Sequence, residues 1–124
     1  MGAGDRLAQL DANALDVIRS ISNGSNDLLQ QVVGLFLEST PPLLHDIEAG
    51  LSRGELDRVR VAAHTLKSSA ANLGAAVLSD MARRLELAAR AGALGPDLPS
   101  FPELKDEFDA ACRALDATLN GVSR

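Results

Sequence analysis

His64 is the side chain of this sequence with the widest chemical reach. A free imidazole titrates near ~6.5, so at neutral pH it is mostly uncharged and one ring nitrogen keeps an available lone pair. Such a group is a nucleophile without needing a dedicated base. Lys67, Ser68, Ala71 and Ala75 follow at three, four, seven and eleven residues, a spacing that on a helix places them on the face carrying His64. Leu66 lies about 200° around the same helix, so burying Leu66 turns the imidazole outward. A solvated helix face ordinarily carries Glu, Lys or Gln. Here one lysine is followed only by small side chains, which predicts a shallow, flat patch that another protein can approach closely.

Other chemistry has little support. Ser68 and Ser69 have no Asp-His pair in sequence position to activate them. His45 with Glu48 three residues on is a single pair, where a metal site needs more ligands. Cys112 is the lone cysteine, falls beside an apolar stripe and reads as a small core residue. No G-x-x-x-x-G-K-[ST], no G-x-G-x-x-G and no paired Cys/His spacing occurs, so neither cofactor nor metal binding is expected of this chain.

The elements that hold His64 follow from the apolar period. Asp11 can cap a short helix carrying Leu15, Ile18 and Ile21, broken by Asn23-Gly24-Ser25-Asn26. Leu29, Val32, Val33 and Phe36, then Leu43, Ile47 and Leu51, keep one register across Thr40-Pro41-Pro42. That register favours a single long helix from about Asn26 to Arg53, kinked near Pro41, over two helices broken there. Gly54 ends it. Leu56, Val59, Ala63, Leu66, Ala70 and Leu73 mark a third helix stopped by Gly74, and Val77, Leu78, Met81, Leu85 and Ala88 a fourth stopped by Gly92. Ser100 and Glu103 have capping-box spacing at the head of a last helix that carries Phe101, Leu104, Phe108, Ala111, Leu115 and Leu119. Nothing reads as a strand. The expected fold is all-α, an antiparallel four-helix bundle with a short extra N-terminal helix, with residues 1–8 a flexible N-terminus and 9–122 the domain.

Composition narrows the partners. The chain has 124 residues, a net charge of −5, three Phe and neither Trp nor Tyr. Few aromatics and an acidic balance oppose nucleic-acid binding. Charged residues interrupt every apolar stretch well short of the ~18 residues a membrane span requires. One cysteine and no apolar segment near Met1 point to a reducing, cytoplasmic setting without secretion, and Asn23-Gly24-Ser25 then reads as a turn.

The run Ala63-His64-Thr65-Leu66-Lys67-Ser68-Ser69-Ala70-Ala71-Asn72-Leu73-Gly74-Ala75 resembles the signature of histidine-containing phosphotransfer (HPt) domains. The similarity extends through Leu10-Asp11, Phe36-Leu37-Glu38, the Gly54 turn, and Arg84-Leu85-Glu86 with Arg90 and Gly92. Ser68 stands where most of the family has Gly; being small, it still permits close docking. The resemblance implies that His64 accepts a phosphoryl group from a receiver-domain Asp and passes it to another in a multistep phosphorelay, a phosphocarrier without autokinase activity. It implies Lys67 as a phosphate contact and Glu86, about 100° around from buried Leu85, as a residue that could orient the ring. An ion pair of Glu86 with Arg83 or Arg90 is the competing reading of that carboxylate.

No acidic cluster is available to hold Mg²⁺, so the resemblance implies that a response-regulator receiver, for which a hybrid sensor kinase is one setting, brings both the metal and the acceptor Asp. This domain would then be monomeric, and cytoplasmic even if excised from a membrane-bound kinase. The docking residues expected around His64 are Arg60, Val61, Ser68, Ala71 and Ala75. From Arg53 to Arg90 there are seven basic and four acidic residues, a net of +3 that leaves −8 elsewhere, so an acidic partner would meet the basic part. Two alternatives differ by chemistry: the substrate domain of a chemotaxis-type kinase, phosphorylated directly from ATP, and a helical adaptor without chemistry. A dimerising histidine-kinase core is disfavoured, since Thr65 follows the His and no Pro comes near.

Overall fold

A computed structural model describes residues 6–120. Five helices and no strand occur among them: α1 (Ala12–Ile21), α2 (Asp27–Arg53), α3 (Leu56–Asn72), α4 (Ala76–Ala91) and α5 (Phe101–Leu119). The boundaries are set by local chemistry. The Asp11 carboxylate accepts from the Asn13 N–H to start α1, and Ser100 and Glu103 form a reciprocal capping box on α5. Gly54 and Gly92 close α2 and α4 in the left-handed conformation.

Short connections make consecutive helices antiparallel. α2 packs on α3, α3 on α4, α4 on α5 and α5 back on α2, which closes the four-helix bundle, while α1 lies across α2 and α3. The core is built from leucine and alanine. Leu29, Ile47, Leu66, Leu73, Leu78, Leu85, Leu104 and Leu115 are fully buried, each contributing roughly 1.5–3 kcal/mol relative to an exposed side chain. Between α3 and α4 the buried residues include Ala62, Ala63, Ala70, Ala82 and Ala89. Small side chains there let the two helices that carry the site approach closely.

The long helix is continuous through its two prolines, so the two-helix alternative does not hold. Pro41 and Pro42 face solvent, as do Leu37 and Glu38, four residues earlier, whose carbonyls lose their amide partners. Water can replace those bonds. The opposite side of the helix keeps its register, with Phe36, Thr40, Leu44 and Ile47 all buried.

Two residues expected in buried stripes are exposed: Ile21 is 70 % and Val77 50 % accessible. Among the helices of the described residues α1 touches α2 and α3 alone, and Val77, in the first turn of α4, lies off that helix's buried line through Leu78, Ala82 and Leu85. Of the stretch expected to be flexible, residues 1–5 lie outside the described residues, as does the domain's expected end at 122. The rest of that stretch is attached. Arg6 pairs with Asp106 and Glu107 at 3.0 Å, and the Ala8 N–H donates to the Ala110 carbonyl at 3.0 Å.

Gly74 joins α1 to the α3–α4 turn. Its φ is +74°, and a Cβ there would sit 2.5 Å from the Asp11 carbonyl oxygen. The Asp11 N–H donates to the Gly74 carbonyl at 2.8 Å, so the cap of α1 is docked on the turn just past the site helix. Any side chain at position 74 would push it off.

Candidate functional site

His64 stands on the outer face of α3 with 58 % of its side chain exposed, as the helical phase predicts. Its Nδ1 lies 2.7 Å from Glu86 Oε2, across the α3–α4 pair. Glu86 is nearly fully buried, with 3 % of its side chain accessible. Lys67 Nζ is 2.7 Å from Oε1, an ion pair whose angle falls outside a directed hydrogen bond. Arg90, one turn along α4, donates to Oε2 at 3.0 Å. One buried carboxylate therefore gathers an imidazole, an ammonium and a guanidinium.

Glu86 makes both of the contacts that its helical phase allowed: it touches the ring and it pairs with Arg90. Arg83 is occupied elsewhere, by Asp80 at 2.6 Å. Lys67 and then His64 hold the Glu86 carboxyl below the usual carboxylate range against the opposing effect of burial. An ionised carboxylate only accepts hydrogen bonds, so the ring nitrogen facing it must be the protonated one. The Nδ1–H tautomer follows. Nε2, on the other side of the ring, has no partner among the described residues.

The scaffold around the ring is pinned by one further bond across the helices, in which Ser79 Oγ donates to the Lys67 carbonyl at 2.8 Å. Ser69 Oγ donates to the Leu66 carbonyl of its own helix, so it is not aimed at the imidazole. Cys112 is half-buried, and burial pushes its thiol up to about 11, well away from thiolate chemistry at neutral pH. Among the described residues no three His, Cys, Asp or Glu side chains are gathered as a metal would require, and no helix is long and apolar enough to cross a membrane.

The expected docking residues divide. Val61, Ser68 and Ala71 are exposed around His64, and Arg60, partly exposed, pairs with Asp57 at 3.3 Å. Ala75 is a correction: it is buried to 2 %. Counting eleven residues on from His64 assumes an unbroken helix, but α3 ends at Asn72 and Gly74 turns the chain inward. Ala71 instead borders a groove of about 390 Å³ formed with Val17, Ile18, Ile21, Leu28 and Val32. The exposure of Val17 and Ile21 was the missing signal, since spacing alone placed Ile21 in the core.

The Hpt domain description matches residues 31–114, a span that includes His64, Lys67, Glu86 and Arg90. No curated protein and no solved structure matches the chain. With a helical bundle whose third helix presents one histidine, and with more than half its length matched, the chain belongs to the Hpt domain family, the phosphocarriers of phosphorelay signalling.

Proposed function

We propose that His64 takes a phosphoryl group from the aspartyl phosphate of one response-regulator receiver and returns it to the aspartate of another. In the forward step the Nε2 lone pair forms the N–P bond while the P–O bond of the acyl phosphate breaks, its electron pair returning to the receiver's carboxylate. Nδ1 keeps its proton, so the ring gains positive charge, and the Glu86 carboxylate faces that charge at 2.7 Å. The reverse step releases a neutral imidazole, which makes the ring a good leaving group. Lys67, one turn from His64 on the same face, supplies an ammonium to the phosphoryl oxygens, an interaction worth roughly 1.5–3 kcal/mol.

The observation that carries this reading is the Nδ1 contact to a buried carboxylate beside an unpartnered, outward-facing Nε2. Glu86 is the only carboxylate on the ring among the described residues, and three basic groups already surround it. A donor set so occupied does not fit Mg²⁺, so the metal belongs with the receiver. The receiver docks over Arg60, Val61, Ser68 and Ala71 and sets apolar side chains into the Val17–Ile21–Val32 groove.

Incubation with phosphorylated receivers tests the reading, comparing the natural chain with His64→Gln. Acid-labile, base-stable label on the natural chain and none on the variant supports it. Label obtained only from an ATP-bearing kinase domain makes this the substrate domain of such a kinase instead, and signalling that survives His64→Gln makes it an adaptor.

A further inference from the structure

The three partners of Glu86 cannot all stay in place during phosphoryl transfer. Lys67 sits on Oε1, yet the proposed reaction asks it to reach the phosphoryl oxygens on Nε2. When it leaves, Oε1 is a buried oxygen with no directed hydrogen bond. A carboxylate with 3 % of its side chain accessible is strongly disfavoured once its cation departs. The exchange therefore needs a second cation that stays behind.

Arg90 meets that need. It reaches the other oxygen, Oε2, at 3.0 Å from the turn below on α4, so its contact does not depend on where Lys67 points. Its guanidinium is always charged, and 60 % of its side chain is exposed, on the solvent side of the carboxylate. We propose that Arg90 is a positioning residue for phosphoryl transfer: acting through Glu86, it keeps the carboxylate charge-compensated and aimed at His64 Nδ1 while Lys67 exchanges from Glu86 onto the phosphoryl group. The inference rests on His64 as the acceptor and deepens that reading by dividing the work between the two cations. Lys67 is the mobile one and Arg90 the fixed one.

Phosphoramidate tests this without any partner protein. The Nε2 lone pair forms the new N–P bond as the P–N bond of the reagent breaks, and its nitrogen leaves with the electron pair and a proton as ammonia. Loading is followed by ³¹P NMR at pH 7 on the full chain and on Lys67→Ala, Arg90→Ala, Arg90→Lys and the double Lys67→Ala/Arg90→Ala variant. Each alanine variant is expected to load more slowly by about threefold or more, and the double variant more slowly than the two single effects multiplied, because it leaves the buried Glu86 carboxylate without either cation. Arg90→Lys restores the rate. In unloaded Arg90→Ala the ¹⁵N shifts of the ring still report the Nδ1–H tautomer, because Lys67 continues to hold Glu86.

Effects of Arg90→Ala and Lys67→Ala that simply multiply overturn the proposal, as do faster loading of Arg90→Ala or loss of the tautomer in its resting state. Thermal unfolding of each variant separates these results from a folding defect, since a destabilised chain would not show rescue confined to the lysine variant. No loading of the natural chain, or equal loading of His64→Gln, sinks the acceptor reading itself. Normal loading that Arg90→Ala leaves unchanged sinks only the role of Arg90.

Discussion

The two histidines sit on opposite parts of the bundle in settings that look alike in sequence and differ in space. Each is exposed on a helix, and each has a polar residue three positions on, Glu48 after His45 and Lys67 after His64. His45 lies at the α2–α5 edge, on the rim of a groove formed with Leu44, Phe101 and Phe108, and makes no hydrogen bond or ion pair among the described residues. His64 lies on the α3–α4 face, its ring held by a carboxylate from the neighbouring helix. The packing beneath them accounts for the difference. At the α2–α5 edge the inner space is filled by Phe36 and Phe108, with centroids 5.6 Å apart, which holds the helices off. Alanines between α3 and α4 bring those backbones close enough for a glutamate on one to reach a histidine on the other. A histidine becomes a candidate for chemistry when a second element supplies its partner, and small residues at the interface make that possible.

The largest contrast is chemical. His64→Gln is expected to abolish acid-labile phosphorylation completely and His45→Gln to leave it unchanged, measured by ³¹P NMR or radiolabel. Equal loss in both would erase the distinction between the two sites.

On the site face itself, Ala71 and Ala75 should separate docking from packing. Ala71→Glu is expected to prevent receiver binding with unfolding temperature unchanged, because Ala71 is exposed. Ala75→Arg instead forces a long cation into a buried position and should destabilise the fold by about 3 kcal/mol or more, read by denaturant unfolding.

Glu86→Gln removes the charge that gathers the site. Phosphotransfer should slow about 10- to 100-fold, the kinetic equivalent of a hydrogen bond to a charged group, with the ring nitrogen shifts moving away from a single tautomer. The stability effect has a defined sign. Lys67 and His64 lower the Glu86 carboxyl, so its contribution is present above the ordinary carboxylate range and disappears as pH falls through the lowered value. The melting-temperature gap between the natural chain and Glu86→Gln should thus hold from neutral pH down to about 5 and close on further acidification; a gap that widens in acid contradicts the ion-paired carboxylate.

The smallest expected effect lies in α2, away from the site. Thr40 is fully buried and its hydroxyl has no partner among the described residues. Thr40→Val keeps the shape and removes the unpaired group, and should stabilise the chain by about 1 kcal/mol without altering phosphotransfer.

Most of the architecture was legible because the determinants of helix ends are local. Asp11, Gly54, Gly92 and the Ser100–Glu103 box each act within a few residues of themselves, and the apolar register told one long α2 from two short helices. Exposure was read less well at the edges. Ile21 carries the right spacing, yet α1 has too few neighbours to cover it.

The sequence by itself determined the bundle, the outward direction of His64 and the small-residue patch beside it, because each depends on the phase of a single helix. The tertiary structure decided what surrounds the imidazole. Glu86 is twenty-two residues from His64, and its helical phase was equally compatible with facing the ring or with pairing along α4. Close α3–α4 packing let it do both and drew Lys67 onto the same carboxylate. Ala75 marks the same boundary from the other side: helical counting placed it beside His64, and the turn at Gly74 took it into the core, since phase carries information only as far as the helix that defines it.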